Sequence, residues 1–230
     1  MAEMRIGYGS EYQLLRYLGH HREYLNKEIL KALKGVTGSI KWLDYPVDID
    51  RDSMDGEYKN VVFLKNRITH AEYEQIQKNW KCYWPQRGNS QNWDGIFMIN
   101  NKYYLVEAKA HLSEAHQECG AKEDSRNIIA RAFTETCGKE DLAKQWLNSD
   151  CYQLANRLAF INFCEQNKID AELLYICFVN GYRINPEENV KDKIDWEEEL
   201  EKEFKTLELD DRLRSKINVV CIDCLEPKPL

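Results

Sequence analysis

Two β-rich runs, residues 93–99 and 102–111, stand on either side of Asn100-Asn101, and this arrangement constrains the chain more than any other feature. Asparagine tolerates the positive φ of a two-residue turn, so the spacing predicts a tight antiparallel hairpin. A turn at Asn100-Asn101 pairs Ile99 with Lys102 and, carried back along both strands, sets Asp94 opposite Glu107. Opposed residues of an antiparallel pair project from one face with Cβ atoms ~4.5–5.5 Å apart. Strand alternation adds Lys109 and His111 to the Glu107 face and turns Val106, Ala108 and Ala110 to the other.

Around the hairpin the pattern alternates between helix and strand. Leu14, Leu15, Leu18, Leu25, Ile29 and Leu33 recur at helical spacing, Ser10 and Gln13 have the spacing of a capping box, and Gly35 ends the run, which predicts one long helix over about 11–34. Further helices are expected at 69–79, 125–137, 140–147, 150–166 and 196–207, and strands at 40–45, 58–64, 173–179 and 217–222. Strands interleaved with helices, with no repeat and no long linker, describe a single α/β domain over residues 1–230. An acidic helix-strand extension is expected at about 185–230.

At 230 residues and 43% hydrophobic the chain can bury a full core without staples, so its 8 cysteines need not form a disulfide framework. Cys221-Ile222-Asp223-Cys224 has a CxxC form but lacks the second ligand pair of a structural zinc site, which leaves buried strand thiols as the plainer reading. No amino-terminal secretory run and no window of ~20 apolar residues is present, so the expectation is a cytoplasmic protein with no membrane association. The net charge of -7 argues against a protein that coats nucleic acid non-specifically. That charge is uneven: residues 185–230 carry 14 acidic and 8 basic side chains, which leaves residues 1–184 close to neutral.

Two carboxylates opposed on an apolar strand repel each other and need compensation. A divalent cation supplies it, since hard oxygen ligands suit Mg²⁺ or Mn²⁺ and magnesium commonly uses one or two carboxylates, completing its shell with water or substrate phosphate. Such a metal polarises a phosphoryl oxygen and lowers the pKa of a bound water. Lys109, on the same strand face, is placed to orient that water or to neutralise charge developing on a phosphate. The alternative is an ordinary salt bridge from Lys109 to Asp94 or Glu107 on a solvated sheet face.

Trp93-Asp94-Gly95 followed by Val106-Glu107-Ala108-Lys109, with twelve residues between Asp94 and Glu107, resembles the Asp…Glu-x-Lys core of the PD-(D/E)XK, or restriction-endonuclease-like, nuclease superfamily. Trp93 stands where that pattern often has proline. The resemblance implies a central mixed β-sheet flanked by helices, with an α-β-β-β-α-β core, and Mg²⁺-dependent hydrolysis of nucleic-acid phosphodiesters, with Mn²⁺ able to substitute. It implies metal-ligand roles for Asp94 and Glu107, a backbone ligand at Ala108, and the catalytic lysine at Lys109. The family often adds a glutamate from its first helix, for which Glu11 is the natural position; an acidic residue also suits a helix first turn without any ligand role.

The segment Tyr152-Gln153-Leu154-Ala155-Asn156-Arg157 resembles a helix that follows the catalytic strands in bacterial members of the superfamily. Gln153 and Arg157, at i and i+4, share a face from which they can approach a phosphate or the metal water. His111 is a further candidate for substrate contact, as is Arg87 in the stretch 81–93, where Tyr83, Trp84 and Gln91 mix with cations in a loop able to stack on a base or to pack as a plain connection. The expected partner is nucleic acid, DNA before RNA, in a setting such as defence or repair, and a homodimer or protein partner stays open. The rival reading is a catalytically inactive nuclease-fold protein with an interaction or regulatory role.

Overall fold

The computed structural model describes residues 9–43, 58–87, 91–181 and 190–225. Helices α1 (Ser10–His20) and α2 (Arg22–Ala32) come first, followed by strands β1 (Lys41–Trp42) and β2 (Tyr58–Lys59), helix α3 (His70–Tyr83), and strands β3 (Asn92–Trp93), β4 (Gly95–Ile99) and β5 (Lys102–Lys109). Then come α4 (Glu123–Cys137), α5 (Glu140–Asn148), α6 (Tyr152–Gln166), β6 (Ala171–Val179), α7 (Lys193–Thr206), the short α8 (Asp211–Arg214) and β7 (Ile217–Asp223). Five strands make one mixed sheet in the order β1-β4-β5-β6-β7, and β2 and β3 form a separate two-stranded ribbon. β4 lies antiparallel to β1 and β5, whereas β5, β6 and β7 run parallel. This is a single α/β domain around a central mixed sheet flanked by helices.

The hairpin has the expected register, with Ile99 paired to Lys102 and Gly95 to Val106. Only Asn100 of the two turn residues takes a positive φ, 56°. β5 is the middle strand of the sheet, and every residue from Tyr103 to Lys109 is buried. Alternation divides it cleanly: Tyr104, Val106 and Ala108 pack with Leu14 and Tyr17 of α1, while Tyr103 and Leu105 pack with α3 to α7. Glu107 and Lys109 therefore point into the second layer, away from α1.

Two local expectations, both at the first helix, need correction. The long first helix is two helices, broken at His21 (φ -134°, ψ 32°), where the Arg22 side chain donates to Leu18 O at 2.9 Å and satisfies a carbonyl at the end of α1. The Ser10/Gln13 capping box does not form: the N-cap is Gly9, and Gln13 is buried with its Nε2 donating 2.7 Å to Gly181 O, which ties α1 to the end of β6. A capping box exists at α3 instead, where Thr69 and Glu72 satisfy each other's backbone amides. The acidic carboxy-terminal segment is part of the fold, with Trp196, Leu200 and Leu207 in the core and β7 pairing β6 over seven residues.

All eight cysteines are free thiols. Cys221 packs with the α7 layer and Cys224 with the α1 layer, so the CxxC pair faces opposite sides of the sheet and cannot chelate one ion. Among the described residues no helix is long and apolar enough to cross a membrane.

Candidate active site

Four of the residues singled out in the sequence meet at the carboxyl end of β5. Glu107 and Lys109, two apart on one strand, share a face, and the Lys109 ammonium donates 2.8 Å to Glu107 Oε1. Helix α6 lies across that face and presents Gln153 and Arg157 from successive turns. Arg157 Nε donates 2.8 Å to Glu107 Oε2, and Lys109 Nζ donates 2.6 Å to Gln153 Oε1. The arginine is held flat by its surroundings, its guanidinium carbon 4.8 Å from the centre of the Trp93 ring.

The cluster is almost dry, with Glu107 3%, Lys109 5% and Arg157 7% exposed. Burial alone would push the Glu107 carboxyl up, but the Arg157 guanidinium and the Lys109 ammonium outweigh it and hold the carboxyl below its usual range. Arg157 shows the converse: burial opposes its charge, and Glu107 more than restores it. The salt bridge considered from the sequence exists, then, but in the interior and shared among three charges rather than on a solvated face.

Asp94 sits one residue before β4 and half-buried. The paired register ends at Gly95 and Val106, and the Asp94 amide donates to Val106 O at 3.1 Å rather than pairing with Glu107 as the turn predicted, while its Oδ2 accepts from the Ala108 amide at 2.7 Å. Asp94 thus reaches across to the β5 backbone immediately after Glu107, and its charge also acts favourably on Arg157. That bond holds the peptide between Glu107 and Lys109 in place. The repulsion anticipated between Asp94 and Glu107 is relieved in the structure by this amide, Arg157 and Lys109.

The remaining candidates do not join the cluster. Glu11 lies in the first turn of α1, on the layer opposite the Glu107 side chain; its neighbour Leu15 is 37% exposed, so the inward stripe of α1 runs through Gln13, Leu14 and Tyr17 instead. β5 ends at Lys109, and His111 is engaged locally, Nδ1 with Ser113 Oγ at 2.7 Å and Nε2 with Glu114 Oε1 at 3.3 Å. Arg87 is exposed beyond α3, and residues 88–90, which carry part of the predicted base-stacking loop, lie outside the described residues. The aromatic part of that stretch is core: Trp84 stacks on Trp80, and the Tyr83 hydroxyl donates 3.0 Å to Ala159 O.

One residue absent from the sequence reading belongs here. Glu203 of α7 is 1% exposed, and neither of its carboxyl oxygens has a hydrogen-bond partner among the described residues. Burial pushes its pKa up to about 8, Lys109 is the main charge opposing that rise, and Glu199, Asp150 and Glu107 add to it. The signal was available: Trp196, Glu199, Leu200, Glu203 and Leu207 form one helical stripe, and a carboxylate on a buried stripe needs a reason.

Among the described residues no group of three or more His, Cys, Asp and Glu side chains is arranged to hold a metal ion. No protein-family model, curated protein or solved structure matches the chain.

Proposed function

We propose that the chain is a metal-dependent nuclease of the PD-(D/E)XK type that hydrolyses phosphodiester bonds of nucleic acid, DNA in the first place. The observation that carries the reading is the convergence of Glu107, Lys109, Gln153 and Arg157 at the end of one buried strand, with Asp94 bonded to the intervening peptide. The element order supports it once the segment carrying β2, α3 and β3, inserted between β1 and β4, is set aside: two helices, the antiparallel strands β1, β4 and β5, helices α4 to α6, and a parallel β6 then follow the α-β-β-β-α-β scheme.

The donor set fits a hard divalent cation in kind. Each Glu107 oxygen accepts one hydrogen bond from the described residues, and a carboxylate oxygen has two lone pairs, so acceptor capacity remains at Glu107, while Asp94 and the Ala108 carbonyl are further oxygens of the right kind. Asp94 and Glu107 would hold Mg²⁺ or Mn²⁺, and the bound ion would supply an acidified water and a polarised phosphoryl oxygen. The chain's own groups do the rest. Lys109, steadied by Gln153, offers its ammonium to the attacking water or to the phosphate, and Arg157 is a second cation that a phosphate can draw from Glu107.

The test is cleavage of linear duplex DNA, single-stranded DNA and RNA with Mg²⁺ or Mn²⁺. Lys109→Met, which keeps the buried stem, is expected to lower metal-supported cleavage by about 10²–10³-fold. Absence of cleavage by the wild-type chain on all three substrates, or an undiminished rate in Lys109→Met, would reject the reading. A second reading, an inactive nuclease-fold interaction protein, is favoured by one observation: both Glu107 oxygens are already engaged by cations of the chain itself. A Mn²⁺ titration separates the two, since only the first requires a saturable site lost in Asp94→Asn.

A further inference from the structure

A carboxyl group with both oxygens unpartnered among the described residues is costly at 1% exposure, because nothing repays its desolvation. Glu203 is not buried by a distant accident of packing. Its stripe on α7 packs in the same core layer as Tyr175 and Cys177 of β6, on the side of the sheet from which Lys109 projects, and the Lys109 ammonium favours its charged form. Lys109 and Cys177 are register partners on β5 and β6, so α7 closes over the same row of the sheet from which the ammonium projects. The ammonium sits on a flexible four-carbon stem and is a compact, three-donor group, able to change partner without moving the backbone.

In the structure the Lys109 ammonium binds Glu107 and Gln153, and Glu107 binds Arg157 as well. Glu107 thus has two cations and Glu203 has none. A divalent ion at Glu107 would add to the positive charge there and repel the ammonium. We propose that Glu203 is the second seat of Lys109, a positioning residue that receives the ammonium when Glu107 takes up a divalent cation. This rests on the metal-dependent reading above and adds a residue to it. Gln153, a neutral acceptor, stays with the ammonium through the exchange and keeps it at the site, and Arg157 stays with Glu107 until a phosphate draws it away. The burial of Glu203 then has a reason: it holds in reserve a second acceptor for a displaced lysine.

The test uses the full-length chain and Mn²⁺ alone, followed by calorimetry, so no substrate is involved. Glu203→Gln keeps the shape and removes the charge, and is expected to weaken Mn²⁺ binding by roughly 10–100-fold, the usual effect of losing a group that supports a metal ligand. Glu198→Gln, which removes the same charge from the exposed face of the same helix, is expected to bind like wild type. In a Mn²⁺-soaked wild-type crystal the Lys109 ammonium should lie within hydrogen-bond distance of Glu203. Wild-type affinity in Glu203→Gln, or a soaked structure with the ammonium still on Glu107, overturns the proposal and leaves the nuclease reading standing. Failure of the wild-type chain to bind Mn²⁺ overturns both.

Discussion

Glu107→Ala is expected to destabilise the protein by about 3–5 kcal/mol, because it strands the buried ammonium of Lys109 and guanidinium of Arg157 without their shared carboxylate. Chemical denaturation measures this directly, and a loss below about 1 kcal/mol would mean that the three charges are better solvated than their burial implies. Arg157→Ala alone should also be damaging, and the double variant Glu107→Ala/Arg157→Ala should lose less than the two single losses added together. Acid weakens the same cluster. The Glu107 carboxyl is held below its unfolded value, so its contribution is fully present above the unfolded pKa of ~4.3 and is lost as pH falls through the lower, folded value. The stability gap between wild type and Glu107→Gln should therefore narrow in acid. A practical consequence is that lost cleavage in Glu107→Ala does not identify a catalytic role; Lys109→Met is the cleaner probe.

Glu203→Gln should have the opposite sign and stabilise the metal-free protein at neutral and alkaline pH. Burial pushes the folded pKa of Glu203 up to about 8 against an unfolded value of ~4.3, so between those pH values the unfolded chain has released a proton that the folded chain retains. Stability of the wild type must then fall as pH rises through that window. The variant escapes this, gaining roughly 3–5 kcal/mol over wild type by pH 8, which corresponds to a rise in Tm on the order of 10 °C for a chain of this size. Below pH ~4 the two should converge. Parallel pH-dependent melts of the two proteins would contradict the assignment of a buried, unpartnered acid. Together with weaker Mn²⁺ binding, the expected outcome is a variant that is more stable and less able to take a metal, the trade-off of a site that keeps a strained group for use.

How much of this was legible in the sequence depends on the range of the interaction. The hairpin register followed from Asn100-Asn101, because a two-residue turn leaves strands of period two no choice of partner. The pairing of Gln153 with Arg157 on one helix face followed from 3.6-residue periodicity. The break at His21 did not, since Leu25 and Ile29 keep the stripe nearly in phase across it and only the backbone angles reveal the turn. The aromatic run before Asp94 suggested a binding loop, and its rings are core, because α3 continues to Tyr83 and buries Trp80, Tyr83 and Trp84 against α6 and α4.

Local geometry, then, was determined by the sequence alone: which residues of β5 share a face, that Asp94 is brought to the end of that strand, and that Glu107 and Lys109 lie side by side. Those outcomes need only turn chemistry and strand alternation, which act over a few residues. What compensates the buried charge was decided by the tertiary structure. The sequence left a metal or a lysine as the partner of Glu107, and the fold brings Arg157 from fifty residues away to share it with Lys109, while setting Glu203 of α7 over the same row with no hydrogen-bond partner among the described residues. Contacts between elements so far apart depend on how α6 and α7 pack across the sheet: periodicity marks Glu203 as lying on a buried stripe, but not which side chains it meets there.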